Sequence, residues 1–283
     1  MRTASLSAVR RLLWILIPSV VVLAVAGAVT AIVLSALPAG TRDDARGAGA
    51  AREVDDDDFG TVLVYDVRED GTLSPDPDGL AREIWDMFAR IAGDELLADT
   101  MLEYHVGDSS ESDTMAFVSQ ADDPTLWILG ANLATSDDRT ELLATLIHEY
   151  AHILFLSTDQ IDLEGECDPD IVLWDGCPVD GAVVAEYREQ FWSGYDDAPA
   201  ADNTDSDIAY EFYLAHEDDF VSDYAATNPI EDAAETFTTF VLEERPDADS
   251  VIAQKIGFFW EHAWLVEIRE HIRAEFSGEH GLP

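Results

Sequence analysis

The feature that most constrains this 283-residue chain is an apolar segment, 139–155, that has two histidines and a glutamate in its middle. Asp138, with Glu141 three residues later, is the pattern of a helix N-terminus, and the apolar residues that follow predict a buried helix to about Phe155. The chain reads H-E-x-x-H over 148–152. Burying these polar groups is costly unless each finds a partner. The segment therefore predicts a helix that meets a ligand or another polar element inside the fold.

The spacing of the two histidines suits a metal ion. Residues four apart lie on the same face of a helix, so His148 and His152 point at one position. Glu149, between them, can reach a water molecule bound to that metal. The motif predicts two metal ligands and a candidate general base.

A catalytic zinc ion takes three protein ligands and keeps a fourth position open. A third histidine six residues after the second is absent, since position 158 is threonine. Glu231 and Glu235 lie four apart on a second predicted helix. One can bind the metal while the other accepts a hydrogen bond from a ligand imidazole. Two alternatives stay open: the pair is a solvated acidic face, or His216 is the third ligand.

Taken together, H-E-x-x-H at 148–152 and E-x-x-A-E-x-F at 231–237 resemble the gluzincin metallopeptidases, and most of all their lethal-factor-type branch. The resemblance covers two helices and the turn before the second, roughly 110–245. The interval 153–223 is longer than in compact members and indicates an insertion. The resemblance implies one Zn²⁺ per chain on His148, His152 and Glu231, with Glu149 as general base, Glu235 as acceptor for a ligand imidazole, and Tyr224 as oxyanion stabiliser.

The chain has two cysteines, Cys167 and Cys177, on either side of a short polar loop with Pro, Gly and Asp. This spacing favours a disulfide that closes the loop in an oxidising compartment, and it is not a zinc-binding spacing. The alternative is two unrelated thiols.

Residues 12–37 contain no charge and are long enough to span a bilayer as a helix. A cleaved signal peptide is the alternative, although its apolar region is usually shorter. The sequence thus predicts a cytoplasmic tip at 1–11, a transmembrane helix at 12–37, an acidic linker at 38–59 and a domain at 60–283. Together with the predicted disulfide, this arrangement places the domain outside the cytoplasmic membrane.

The charge of the chain excludes several partners. It has 59 acidic and 15 basic residues, for a formal charge of −44, and Lys255 is its one lysine. Nucleic-acid binders need basic surface to neutralise phosphates, so nucleic acid is excluded as a partner. The same charge repels anionic lipid headgroups. The expected partners are the peptide or protein substrate that the resemblance to metallopeptidases implies, and the membrane through the predicted N-terminal helix.

Hydrophobic periodicity predicts both strands and helices beyond the motif helix. Strand signals lie at 61–67 and in a hairpin formed by 114–120 and 125–131, and helix signals lie at 79–91, 183–192, 231–244 and 249–276. The predicted fold class is α+β: a zincin-like metallopeptidase domain, mainly helical with a small antiparallel or mixed sheet, preceded by one transmembrane helix. The strand at 125–131 is the predicted edge for an extended peptide.

The sequence therefore predicts a membrane-anchored zinc endopeptidase. Two alternatives remain open: a binding or scaffold domain on a metallopeptidase fold, and a hydrolase of a non-peptide amide in the cell envelope.

Overall fold

The computed structural model describes residues 50–167 and 176–279. Six strands of this part of the chain form one mixed sheet in the order β1-β2-β4-β6-β5, with β3 paired to β2. The pairing of β4 with β6 is parallel, and the others are antiparallel. The strands are β1 Arg52–Asp56, β2 Gly60–Val67, β3 Leu73–Ser74, β4 Met101–Gly107, β5 Ala116–Gln120 and β6 Trp127–Asn132.

Eight α-helices lie in the described residues, and a short second sheet pairs β7, Ile161–Asp162, with β8, Cys177–Pro178. The disulfide between Cys167 and Cys177 is present beside this second sheet, which confirms the predicted pairing. The helices are α1 Gly79–Ala92, α2 Asp94–Thr100, α3 Arg139–Leu156, α4 Val183–Phe191, α5 Ser206–Ala215, α6 Pro229–Leu242, α7 Val251–Phe259 and α8 Ala263–Glu275.

Helix α3 lies at the centre of the core. It begins where the side chain of Asp138 accepts hydrogen bonds from the backbone N–H groups of Thr140 and Glu141, as the sequence pattern predicts. Most of its residues, 13 of 18, are buried, because it packs against β5, α1 and α6 at once. A helix enclosed on all sides holds its side chains in fixed positions.

Helix α6 packs across α3 and has its own strong N-terminal signal. The side chain of Asn228 accepts hydrogen bonds from the N–H groups of Ile230 and Glu231, and Pro229 occupies the first turn. Aromatic rings then fix α6 against its neighbours: Phe237 contacts Phe155 of α3 at 5.6 Å between ring centroids. The second predicted motif is thereby brought beside the first.

Several predicted elements are present with small shifts in their bounds. The hairpin forms from β5 and β6, and the predicted helices at 79–91, 183–192 and 231–244 correspond to α1, α4 and α6. The prediction of a single helix over 249–276 is wrong, because the helix is interrupted at 260–262 and forms α7 and α8. The predicted linker at 38–59 overlaps the fold, since Arg52–Asp56 forms β1 and pairs with β2.

The predicted membrane-spanning component is corrected by the structure. Within residues 50–167 and 176–279, no helix combines the length and the apolar composition needed to cross a bilayer. The segment 12–37, where that helix was predicted, lies outside the described residues. The fold class with a transmembrane helix and the location as a single-pass membrane protein are therefore not retained for the described part of the chain. The fold is instead described as α+β, with eight α-helices and a small mixed sheet.

Candidate metal centre

Helix α3 places the two motif histidines next to each other in the interior. His148 is 3% exposed and His152 is 8% exposed. Their Nε2 atoms are 3.0 Å apart, and the rings meet edge to face. The one-turn spacing therefore directs both imidazoles to one point.

Helix α6 brings Glu231 to the same point. Its Oε2 atom lies 3.1 Å from Nε2 of His148 and 3.3 Å from Nε2 of His152, and its side chain is almost completely buried. In the described residues, one group of histidine, cysteine or acidic side chains converges closely enough to hold a metal ion. It consists of His148, His152 and Glu231.

The separations of the donor atoms fit a small tetrahedral ion. Zinc–ligand bonds are about 2.0–2.2 Å long, so two ligands in a tetrahedral shell lie roughly 3.3 Å apart. The three donor atoms are separated by 3.0, 3.1 and 3.3 Å. Two imidazole nitrogens and one carboxylate are also the donor set of a catalytic zinc site with one position open. The residues present fit zinc.

Glu235 fixes the ring of His148. Its Oε1 atom lies 2.8 Å from Nδ1 of His148, so Nδ1–H donates to the carboxylate and Nε2 is directed toward Glu231 and His152. In the metal-free protein, burial lowers the pKa of His148, but hydrogen bonds to Glu231 and Glu235 outweigh burial and hold it well above its usual value. A site whose two carboxylates stabilise a positively charged imidazole is electrostatically suited to a cation.

Glu149 lies beside this cluster, and its two carboxylate oxygens differ in their hydrogen bonding. Its Oε2 accepts a hydrogen bond of 2.9 Å from the backbone N–H of Val118 on β5. Its Oε1 is buried and has no hydrogen-bond partner among the described residues. Burial raises the pKa of Glu149 to about 7, although the neighbouring histidines oppose the rise. A buried carboxylate oxygen without a partner is costly, which indicates a place for a further polar group.

The raised pKa of Glu149 has a consequence for the metal-free protein. Its folded-state pKa of about 7 exceeds the ordinary value of 4.5, so the proton binds the folded state more tightly. The contribution of Glu149 to the free energy of unfolding is therefore fully present below about pH 4.5. It decreases as the pH rises to 7, by up to about 1.4 kcal/mol per pH unit. His148, whose pKa is also raised, contributes in the same direction at higher pH.

We expect Glu149→Gln to remove the decrease in the free energy of unfolding that Glu149 causes between pH 4.5 and 7. The measurement is the midpoint of thermal unfolding against pH for both metal-free proteins. Glu186→Gln, a change of the same kind at an exposed position of α4, is the control. Parallel profiles for the parent and Glu149→Gln would contradict the expectation.

Tyr224 lies across the site on the short turn Tyr224–Ala226 that precedes α6. Its ring centroid is 5.8 Å from that of His148. Burial and the negative charge of Glu231 raise the pKa of its hydroxyl well above 10, so the hydroxyl keeps its proton and can donate it in a hydrogen bond. The predicted site residues on α3, α6 and this turn are thus close together.

His216, the rival third ligand, is not part of the cluster. It follows α5, and its Nε2 lies 3.2 Å from Oδ1 of Asp197. Two further residues support the site and were not predicted from the sequence. Val118 offers its backbone, which the residue type does not reveal, and Ser222 donates to Glu235 over 2.6 Å.

The strand that faces the site is β5 and not β6. The sequence predicted an available edge at 125–131, but β6 is paired on both sides, with β4 and with β5. Strand β5 is the edge strand, and its N–H at Val118 points out of the sheet to Glu149. A hairpin has two strands, and only the tertiary structure decides which of them remains at the edge.

No protein-family model, curated protein sequence or solved structure matches this chain.

Proposed function

We propose that this protein is a zinc-dependent peptidase that hydrolyses peptide bonds. One observation carries the proposal: Glu149 presents a buried carboxylate oxygen, with no hydrogen-bond partner in the described part of the chain, beside the converging donor atoms of His148, His152 and Glu231. A purely structural metal site needs the ligands and has no use for this additional carboxylate. The resemblance to gluzincins in the two motifs points the same way.

The proposed roles begin with the metal ligands. His148, His152 and Glu231 would hold the ion, and Glu235 would keep the proton of His148 on Nδ1 so that Nε2 presents its lone pair. When bound, zinc supplies Lewis acidity that activates a water molecule and polarises the scissile carbonyl.

Glu149 is suited to move the protons. Oε2 is held by Val118, so the carboxylate has a fixed orientation and Oε1 is free to take a proton from the attacking water. The same oxygen can then deliver that proton to the leaving amine. Tyr224 keeps its own proton and donates a hydrogen bond to the oxygen where negative charge develops.

The first test is metal binding. We expect the purified chain to bind one Zn²⁺, and to be stabilised by about 4 kcal/mol when free zinc exceeds its dissociation constant a thousandfold. We expect His152→Ala to weaken zinc binding by more than about 100-fold, because it removes a direct ligand. Zinc content after dialysis and competition with a chromophoric chelator measure these effects.

The matched control is His216→Ala, which removes a histidine outside the cluster. It should keep the zinc affinity of the parent. Equal zinc affinity for the parent and for His152→Ala would show that the metal does not bind here.

The second test is peptide cleavage. The zinc-loaded chain, its chelator-treated form and the chelator-treated form with zinc restored are each incubated with a diverse peptide mixture. Cleavage that disappears and returns with zinc supports the proposal and gives the sequence preference. Zinc bound at one per chain with no cleavage would refute a peptidase and favour a binding domain or a hydrolase of another amide.

A further inference from the structure

Ser222 joins the two sides of the proposed active site through a single hydroxyl group. Its Oγ donates a hydrogen bond of 2.6 Å to Oε2 of Glu235. The same Oγ accepts a hydrogen bond of 3.0 Å from the backbone N–H of Ala225. The first contact leads toward the metal ligands, and the second lies inside the turn that carries Tyr224.

The contact with Glu235 completes an ordered chain of hydrogen bonds. Oε1 of Glu235 accepts from Nδ1–H of His148 at 2.8 Å, and Oε2 accepts from Ser222. A carboxylate held at both oxygens cannot rotate away from the imidazole. Groups that orient a metal-binding histidine in this way affect metal affinity through its position and basicity.

The contact with Ala225 fixes the neighbouring turn. A serine oxygen that accepts a backbone N–H three residues on is a common local motif, and by itself it would be only structural. Here the proton of the same hydroxyl goes to a residue 13 positions away on α6. The turn Tyr224–Ala226 is therefore held to the carboxylate that orients His148.

We propose that Ser222 is a positioning residue that sets Tyr224 and the His148–Glu235 pair in register with each other. This inference rests on the proposed function for the roles of Tyr224 and His148. The hydrogen-bond geometry itself involves no metal ion. Loss of the hydroxyl should loosen both sides of the site together, while threonine, which keeps the hydroxyl, should preserve them.

The experiment compares Ser222→Ala, Ser222→Thr and the parent, with Ser193→Ala as the control. Ser193 is an exposed serine whose hydroxyl donates to a backbone carbonyl one turn earlier. Zinc affinity is measured by chelator competition, and hydrogen exchange of the Ala225 amide is measured in the metal-free chain.

We expect Ser222→Ala to weaken zinc binding by about 10-fold and to speed exchange at Ala225 by about 10-fold. Ser222→Thr and Ser193→Ala should stay within about 2-fold of the parent. Combining Ser222→Ala with Glu235→Gln should add little to the loss of zinc affinity caused by Glu235→Gln alone, because Ser222 acts through that carboxylate.

Two outcomes would overturn the inference: an unchanged zinc affinity in Ser222→Ala, or an equal loss in Ser222→Thr and Ser222→Ala. If the parent bound no zinc, the proposed function would fail, while the exchange of Ala225 in the metal-free chain would still test whether Ser222 holds the turn. Unchanged exchange in Ser222→Ala would then overturn the positioning role as well.

Discussion

Glu149→Gln is expected to lower kcat/KM for peptide cleavage by about 10²- to 10⁴-fold, the range that a general base contributes. Glutamine retains the shape of the side chain and a carbonyl oxygen for the N–H of Val118. It cannot accept a proton from water at neutral pH. The loss should therefore fall on turnover, with zinc affinity close to that of the parent.

The measurement pairs cleavage rates on one peptide found in the mixture with zinc affinity by chelator competition. Glu141→Gln on the same helix is the control and should keep the parent rate. A Glu149→Gln protein that cleaved as fast as the parent would remove Glu149 from the mechanism. Equal loss of zinc and activity would instead make Glu149 a determinant of metal binding.

Lys255→Met is expected to reduce the free energy of unfolding by about 3–5 kcal/mol, because it leaves a buried carboxylate without its counter-charge. Lys255 and Asp232 are both completely buried, and Nζ of the lysine lies 2.7 Å from Oδ2 of the aspartate. The ammonium group also lies 3.8 Å from the ring centroid of Phe220. Asp232 directly follows the proposed ligand Glu231, so the pair anchors the helix that carries this ligand.

The double variant Lys255→Met with Asp232→Asn separates charge from hydrogen bonding. Asparagine is neutral and keeps an oxygen that can accept from Trp192 Nε1 or Thr236 Oγ1, which both donate to Asp232 in the parent. We expect the double variant to recover most of the lost stability, since replacing a whole buried pair is often nearly neutral.

Urea unfolding of the metal-free proteins measures these changes. The control is Arg52→Met, which breaks the exposed pair with Glu103 and should cost about 1 kcal/mol or less. A single variant as mild as Arg52→Met would contradict the expectation, and a double variant no more stable than the single one would show that charge is not the cause.

Much of the secondary structure near the site follows from local patterns. The capping pair Asp138 and Glu141 and the apolar run after them locate α3, because the orphan N–H groups of a helix need an acceptor close in sequence. The spacing of β-branched and turn residues located the hairpin of β5 and β6. The prediction of one final helix was wrong, since the hydrophobic periodicity continues through the interruption between α7 and α8.

The predicted transmembrane helix falls in a part of the chain that the structure does not describe. The composition of 12–37 suggested a spanning helix, but that segment lies outside the described residues. In the ranges 50–167 and 176–279 no helix meets the length and hydropathy that a span requires. The predicted anchor and location therefore form no part of the proposed function.

The sequence by itself determined which side chains are the candidates for chemistry: His148 and His152 share one helix face by spacing alone, with Glu149 beside them, and Glu231 and Glu235 share another face. Tertiary structure decided how the two faces meet, which strand lies at the edge beside Glu149, and which distant groups, Ser222 and Lys255, hold the acidic residues of α6. The physical reason is the distance along the chain over which each interaction acts. Helical spacing and capping act within one or two turns, whereas a buried charge must find its partner wherever packing of the whole chain brings one.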